Sequence, residues 1–534
     1  MERRSIPAAG ALRELRIALP DSYASAKRRR YPLVIVLDAD GLFGSAVEMS
    51  RMMAFTSEVR ESIVVGLQHG GGERAADTAE QTLAEISSEI LPWICSHYRV
   101  GAGEVALFGA GAASVVALQG MLGGIDGIDH YIIGEQDFDR CSAEGLSYPA
   151  RGGTSARRLA LTAATGKHPG RGDSASWNEL GRTMATLANG NLQVSVNTLE
   201  DIAASSVALP ALLHGLRQFW STRKTYGEDV TSLRQPLLMA VLERLSPLFR
   251  LLNQAPPRPV DIGNPWLLHS ESMGRHFEVF VALPASYREG ATRRYPALVV
   301  LDATIEFSTA AESAAVMAAA GDIDELIVIG IGVPRSEGPR ECGFRRLEEF
   351  SPPVDGYAFN DDLGRILRSM YSMRGQDARE RLGRAPEFLK FLSDELLPRL
   401  QGSLRIDSDD LGLLGHSAGG TFVAWALMQQ DSPFRRYFAV SPGVGISGFW
   451  LLRQPDTQPV SSRAECIVLT LGSEEKTNLF NRIAGIPDTD ELARRLQGLQ
   501  PQLEVRYRCF EGETHSSIYP RAVALSLAAG YPGR

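Results

Sequence analysis

ALPDSYASAKRRRYPLVIVLDAD, from Ala18 to Asp40, returns 264 residues later as ALPASYREGATRRYPALVVLDAT, from Ala282 to Thr304. A second pair of blocks, EILPWICSHYRVGAGEVALFGAGAAS (Glu89 to Ser114) and ELLPRLQGSLRIDSDDLGLLGHSAGG (Glu395 to Gly420), is offset by 306 residues. A long-period repeat changes the reading of the whole chain, because each copy must then bury a core of its own. The difference between the offsets means that the second copy carries 42 extra residues between its blocks.

Working outward from these blocks, Leu233 to Leu252 reads as an amphipathic helix, and NQAPPRP (Asn253 to Pro259) is rich in breakers of regular structure. The expected organisation is a first domain over 1–222, a helical linker over 223–259 and a second domain over 260–534. Within each copy short β-branched runs alternate with helical patterns: LVIVLDA or ALVVLDA, SIVVGL or LIVIGIG, VALFG or LGLLG, YIIG or YFAV, LALTA or CIVLTL. That alternation predicts two tandem α/β domains, each a mostly parallel sheet with helices on both faces. Ligands in such sheets sit at the carboxyl ends of the strands.

Bulk properties bound the function. A chain of 534 residues exceeds what one core sustains, and 44% hydrophobic with 22% charged residues describes a globular protein. The net charge of −8 offers no basic surface for nucleic acid. Five scattered cysteines form no CxxC pair, so neither a disulfide framework nor a zinc site is expected. The N-terminus lacks the apolar stretch of a signal peptide, and no segment offers about 18 uncharged apolar residues for a membrane span. The simplest expectation is a cytoplasmic protein with no membrane or nucleic-acid partner.

The chemistry is concentrated in the second copy. LGLLGHSAGGTFVAWALM holds GxSxG as Gly415, Ser417 and Gly419, between a strand-like and a helix-like run. Such a turn lifts a serine hydroxyl above the sheet. Alone the pattern is common, and an ordinary serine in a Gly-rich turn is the plain alternative. A serine needs a base, and the chain order serine, acid, histidine points to His515 in FEGETHSSIYP, beyond the apolar stretch Leu503 to Phe510. The acid should follow CIVLTL, where GSEEKTN offers Glu475, with Glu474 as the alternative. A serine–histidine dyad without an acid is also compatible. Oxyanion donors are expected from the backbone of Ala418 and of Ala303 or Thr304, with Asp302 shaping that loop.

The second copy, roughly residues 265 to 531, resembles the putative-esterase family of α/β hydrolases, which includes enterochelin esterases and S-formylglutathione hydrolases. The resemblance rests on FEVFVALPASY, RRYPALVVLDA, LIVIGIG, RRLEEFSPP, FLSDELLP, GHSAGG and GETHSSIYP. It implies hydrolysis of a small-molecule carboxylic ester, of siderophore or other type, without metal or organic cofactor. Glu349 and Ser351 stand where the family more often shows Asp and Thr. The extra segment, Pro334 to Arg384, is expected to cover the site as a lid or specificity loop. Its ten arginines are matched by nine acidic residues, which favours a mixed-charge face over an anion site. Arg345, Arg346 and His416 are the candidates for substrate contact.

Two other readings compete with the esterase: an acyltransferase or thioesterase that passes the acyl group to another acceptor, and a non-catalytic binding or scaffold protein. For the first copy the expectation is catalytic silence. At the 306-residue offset Ser417 corresponds to Gly111; VSVNTLEDIAASSV against VRYRCFEGETHSSI sets His515 against Ala204; and Lys167 falls near the acid position. Its expected role is to pack on the catalytic copy as a built-in partner.

Overall fold

In a computed structural model the residues described are 2–8, 11–37, 39–67, 79–123, 125–135, 157–165, 174–187, 192–200, 203–222, 265–288, 292–455, 458–499 and 502–533. The chain forms two compact units, Met1–Leu233 and Arg234–Arg534. The helix expected over 233–252 and the linker beyond it lie outside the described residues.

In the first unit eight strands are laid in the order β1-β2-β4-β3-β5-β6-β7-β8. They are β1 (Glu2–Ala8), β2 (Ala11–Ala18), β3 (Tyr31–Val36), β4 (Ile63–Leu67), β5 (Val100–Ala110), β6 (His130–Glu135), β7 (Arg157–Ala164) and β8 (Leu192–Leu199). The second unit contributes β9 (Trp266–Ser270), β10 (Arg275–Ala282), β11 (Tyr295–Val300), β12 (Ile327–Gly332), β13 (Ile406–His416), β14 (Arg436–Val440), β15 (Cys466–Gly472) and β16 (Glu504–Phe510). Its order, β9-β10-β12-β11-β13-β14-β15-β16, is that of the first sheet with every number raised by eight. From β3 and β11 onward all pairings are parallel. Only the edge hairpins β1–β2 and β9–β10, and their pairings to β4 and β12, are antiparallel.

The central strands read as unbroken apolar runs because both faces are covered: every residue of β3, β4, β12 and β15 is buried. Tyr31, Ile35, Val65, Leu107 and Tyr131 anchor the first core, and Tyr295, Val299, Ile329, Leu413 and Tyr437 the second, at the same offsets as the sequence blocks. Polar ties repeat as well. Ser22 bonds Tyr31 (2.8 Å) and Glu61 (2.6 Å), and Arg29 reaches Glu61. Ser286, Tyr295, Glu325 and Arg293 reproduce that network 264 residues on. A single wide π turn interrupts the helix before β5 at Ile86–Ile90 and the helix before β13 at Phe391–Leu396.

The additional residues of the second unit fall between β12 and β13. They form the helices Pro339–Phe350, Asp362–Ser372 and Ala378–Arg381, around a small core of Phe344, Tyr357, Phe359, Leu367 and Tyr371. As the balanced composition suggested, charges here are matched: Arg374 with Glu341, Arg381 with Glu348, Arg365 with Asp362. Among the described residues no helix is long and apolar enough to cross a membrane.

Candidate active site

β13 runs into the helix Ala418–Leu427 through one residue, Ser417, held at φ +59° and ψ −118°. A left-handed serine is strained, and its surroundings over-determine it. Its N–H donates to Val440 O (2.9 Å), and its carbonyl accepts from Thr421 N (3.0 Å) and Gly443 N (3.3 Å). Gly415 is required by close approach, since a Cβ there would stand 2.5 Å from the Gly419 backbone; at Gly420 it would meet Val440 O at 2.8 Å. The first unit keeps this architecture without the side chain. Gly109 packs as tightly on Ala113, and Gly111 occupies the turn at φ +56°.

His515 lies in the loop between β16 and the helix Tyr519–Gly530. Its Nδ1 is 2.5 Å from Oε1 of Glu475, which sits in the turn after β15. Two hydrogen bonds join the loops: Gly512 N donates to the Ser473 Oγ side chain (2.9 Å) and Glu474 N to the Glu513 carbonyl (3.1 Å). A Cβ on Gly472 would stand 2.3 Å from Glu513 O, so that glycine permits the approach. Glu475 is fully buried, and its other oxygen accepts from Gly472 N (2.6 Å) and Ser441 Oγ (2.9 Å). Burial alone would push this carboxyl up. The hydrogen bond and charge of His515, with the Gly472 and Ser441 donors, hold it below the ordinary carboxylate range. Glu474, its neighbour, is exposed.

Ala303 and Thr304 open the helix that follows β11, both buried beside left-handed Asp302 (φ +52°). Arg346 grips Asp302 through two hydrogen bonds, Nε to Oδ1 at 3.0 Å and Nη2 to Oδ2 at 2.8 Å. Ala418 begins the helix after Ser417 and is likewise buried.

The three residues expected to meet substrate all have partners inside the protein. Arg345 is 2% exposed, donating to Glu349 (2.8 Å), Glu337 (2.6 Å) and the His276 carbonyl (2.9 Å). Arg346 is committed to Asp302, and the buried His416 to Glu306, Nδ1 to Oε1 at 2.9 Å. A buried guanidinium without a carboxylate would cost several kcal/mol, so these charges are spent on holding the insertion and the loop after β11. Glu306 was not singled out by its sequence, because its partner lies 110 residues away and only the fold joins them. In the first unit Lys167 lies outside the described residues, and Ala204 starts a short 3-10 turn after β8. Among the described residues no cluster of three or more His, Cys, Asp or Glu side chains could hold a metal ion.

The model of the family described as "Putative esterase" matches residues 7–123 and 367–500. The ferri-bacillibactin esterase of Bacillus subtilis (strain 168) is 25% identical over 49% of this chain and 86% of its own length. The siderophore enterobactin esterase of Emericella nidulans is 27% identical over 35% of this chain and 58% of its own. Among solved structures, the BES protein of Bacillus cereus aligns at 22% identity and a TM-score of 0.40, covering 51% of this chain and 98% of that one. With this family model matching in both units and siderophore esterases among its relatives, the chain is similar to the putative esterases and is a carboxylic ester hydrolase.

Proposed function

We propose that the second unit is a serine hydrolase that cleaves a small-molecule ester, of siderophore type or related, through an acyl-enzyme on Ser417. The observation that carries this reading is the buried, ionised Glu475 bonded to Nδ1 of His515, which leaves Nε2 as the basic nitrogen. In the forward step Nε2 takes the Ser417 hydroxyl proton as Oγ attacks the ester carbonyl, and the N–H groups of Ala418 and of Ala303 or Thr304 receive the oxyanion. The imidazolium returns that proton to the leaving alcohol as the C–O bond breaks. Water then attacks the acyl group by the same route, regenerating Ser417 and releasing the acid. The siderophore class is suggested by the names of the relatives and by nothing in the site itself.

The first unit is proposed to be silent, with Gly111 where Ser417 stands and Ala204 where His515 stands. Incubating the whole protein with a fluorophosphonate probe and mapping the adduct tests both statements. Labelling at Ser417 alone is expected; labelling in the first unit, or none anywhere, counts against the reading.

A further inference from the structure

Beside the proposed catalytic histidine lies a second carboxylate–imidazole couple that the reaction above does not use. Glu306 and His416 are both buried and bonded at 2.9 Å, and the His416 ring lies against that of His515, centroids 4.6 Å apart and tilted by 39°. Tyr519 stacks on His416 at 5.5 Å and donates to the Glu306 carbonyl (3.3 Å). The bond between Glu306 Oε1 and His416 Nδ1 joins the two side chains, and the Tyr519 hydroxyl is a further hydrogen-bonding neighbour of the Glu306 carboxyl.

As scaffolding this is a poor arrangement, since an apolar pair of similar volume is usually neutral or stabilising by comparison. The first unit has apolar residues at both places: Leu42 at the Glu306 position and the smaller Ala110 at the His416 position. Polar ties with no part in chemistry were kept in both units, as with Ser22–Tyr31–Glu61 and Ser286–Tyr295–Glu325. The Glu306–His416 couple is therefore missing where the serine is missing, while structural networks persist.

Resting on the serine-hydrolase reading, we propose that Glu306, acting through His416, is a positioning residue for His515. The hydrogen bond to Glu475 fixes one atom of the His515 imidazole and leaves rotation about that axis, which would swing Nε2 away from Ser417. A neighbouring ring pinned by Glu306 limits that rotation. The charged and titratable groups around the couple are Asp302, Arg346, Cys342, Glu475, His515 and Tyr519. Burial, and then the Asp302 carboxylate, raise Glu306 well above its ordinary value, while burial and then His515 lower His416 to about 3. His416 is thus uncharged at neutral pH, so no imidazolium stands against the His515 ring.

The test uses the full-length chain, a p-nitrophenyl ester and the rate of fluorophosphonate labelling. Glu306→Leu should lower kcat about 10- to 100-fold, as expected for a misplaced catalytic group, with KM changed less than about twofold. Glu306→Gln, which keeps a hydrogen bond to His416, should restore kcat to within about threefold of wild type. The double variant Glu306→Leu, His416→Ala copies the Leu42–Ala110 pair that the first unit accommodates, and should lose about as much as Glu306→Leu alone. A Glu306→Leu protein, or that double variant, with wild-type kcat and labelling rate would overturn the proposal, as would Gln and Leu variants equally impaired. Wild type that labels nowhere overturns the hydrolase reading and this proposal with it; wild type that labels no faster than the variants overturns this one alone.

Discussion

Gly111 and Ser417 occupy the same strand-to-helix turn of their respective units with nearly the same backbone twist, φ +56° and +59°. One residue type adopts that twist without penalty and the other bears roughly 1–3 kcal/mol of strain. The difference between the units at this position is thus a side chain retained against its conformational preference.

Ser417→Ala should abolish turnover, with a loss on the order of 10³-fold or more, and remove fluorophosphonate labelling. Ser417→Gly should be equally inactive yet more stable than wild type, by about 1 kcal/mol, visible as a rise in the melting temperature of a few degrees. Gly111→Ser in a Ser417→Ala background should gain no labelling, because Ala204 offers no base.

His515→Ala should cost about as much activity as Ser417→Ala, since base and nucleophile act as a unit, and the double variant should be no worse. Glu475→Gln should cost less in kcat but should also remove a pH-dependent contribution to stability. The folded carboxyl lies below its unfolded value of 4.5, so its stabilisation is present above that pH and is lost as pH falls through the depressed value. Melting curves of wild type and Glu475→Gln, compared from neutral pH downward, should converge only below about 4.5.

The Glu306–His416 couple gives a different pH signature. Folded His416 is lowered to about 3 from an unfolded value of 6.5, and folded Glu306 is raised above its unfolded value of 4.5. The histidine should therefore cost stability increasingly as pH falls from 6.5 towards 3, and the carboxyl should cost stability increasingly as pH rises above 4.5. Replacing the couple with Leu and Ala should remove this pH dependence at both the acid and the alkaline end, while slowing catalysis. Chemical denaturation of both proteins at pH 4, 5.5 and 8 checks the shape.

Gly415→Ala should be strongly destabilising, because its Cβ would stand 2.5 Å from backbone atoms of Gly419 that cannot yield without distorting the turn. A loss of about 3 kcal/mol or more is expected, with activity falling alongside. Gly109→Ala should cost a similar amount of stability in the first unit, where the clash is 2.3 Å from Ala113 O, and leave ester turnover alone.

Much of this was legible in the sequence, for identifiable reasons. Buried parallel strands read as continuous apolar runs, so VIVL and LVVL marked β3 and β11 directly. The hairpins Glu2–Ala18 and Trp266–Ala282 were not marked, because edge strands are half exposed and their polar residues mask the alternation. Position in the chain pointed to His515, whereas Glu474 and Glu475 could not be separated until a turn after β15 buried one and exposed the other. Arg345 looked available because charge says nothing about burial; its partners Glu337 and Glu349 sit within one or two helical turns and draw it inward.

The π turn shared by Ile86–Ile90 and Phe391–Leu396 sets an order of events. One surplus residue in a helical turn, at matching places in both halves, is inherited from a single parent chain more simply than acquired twice. The wide turn, the Ser–Tyr–Glu–Arg tie and the Gly109/Gly415 approach therefore belong to the ancestor. The insertion after β12 and the split between Gly111 with Leu42 and Ser417 with Glu306 belong to its descendants, so the two halves together date each part of the site relative to the doubling.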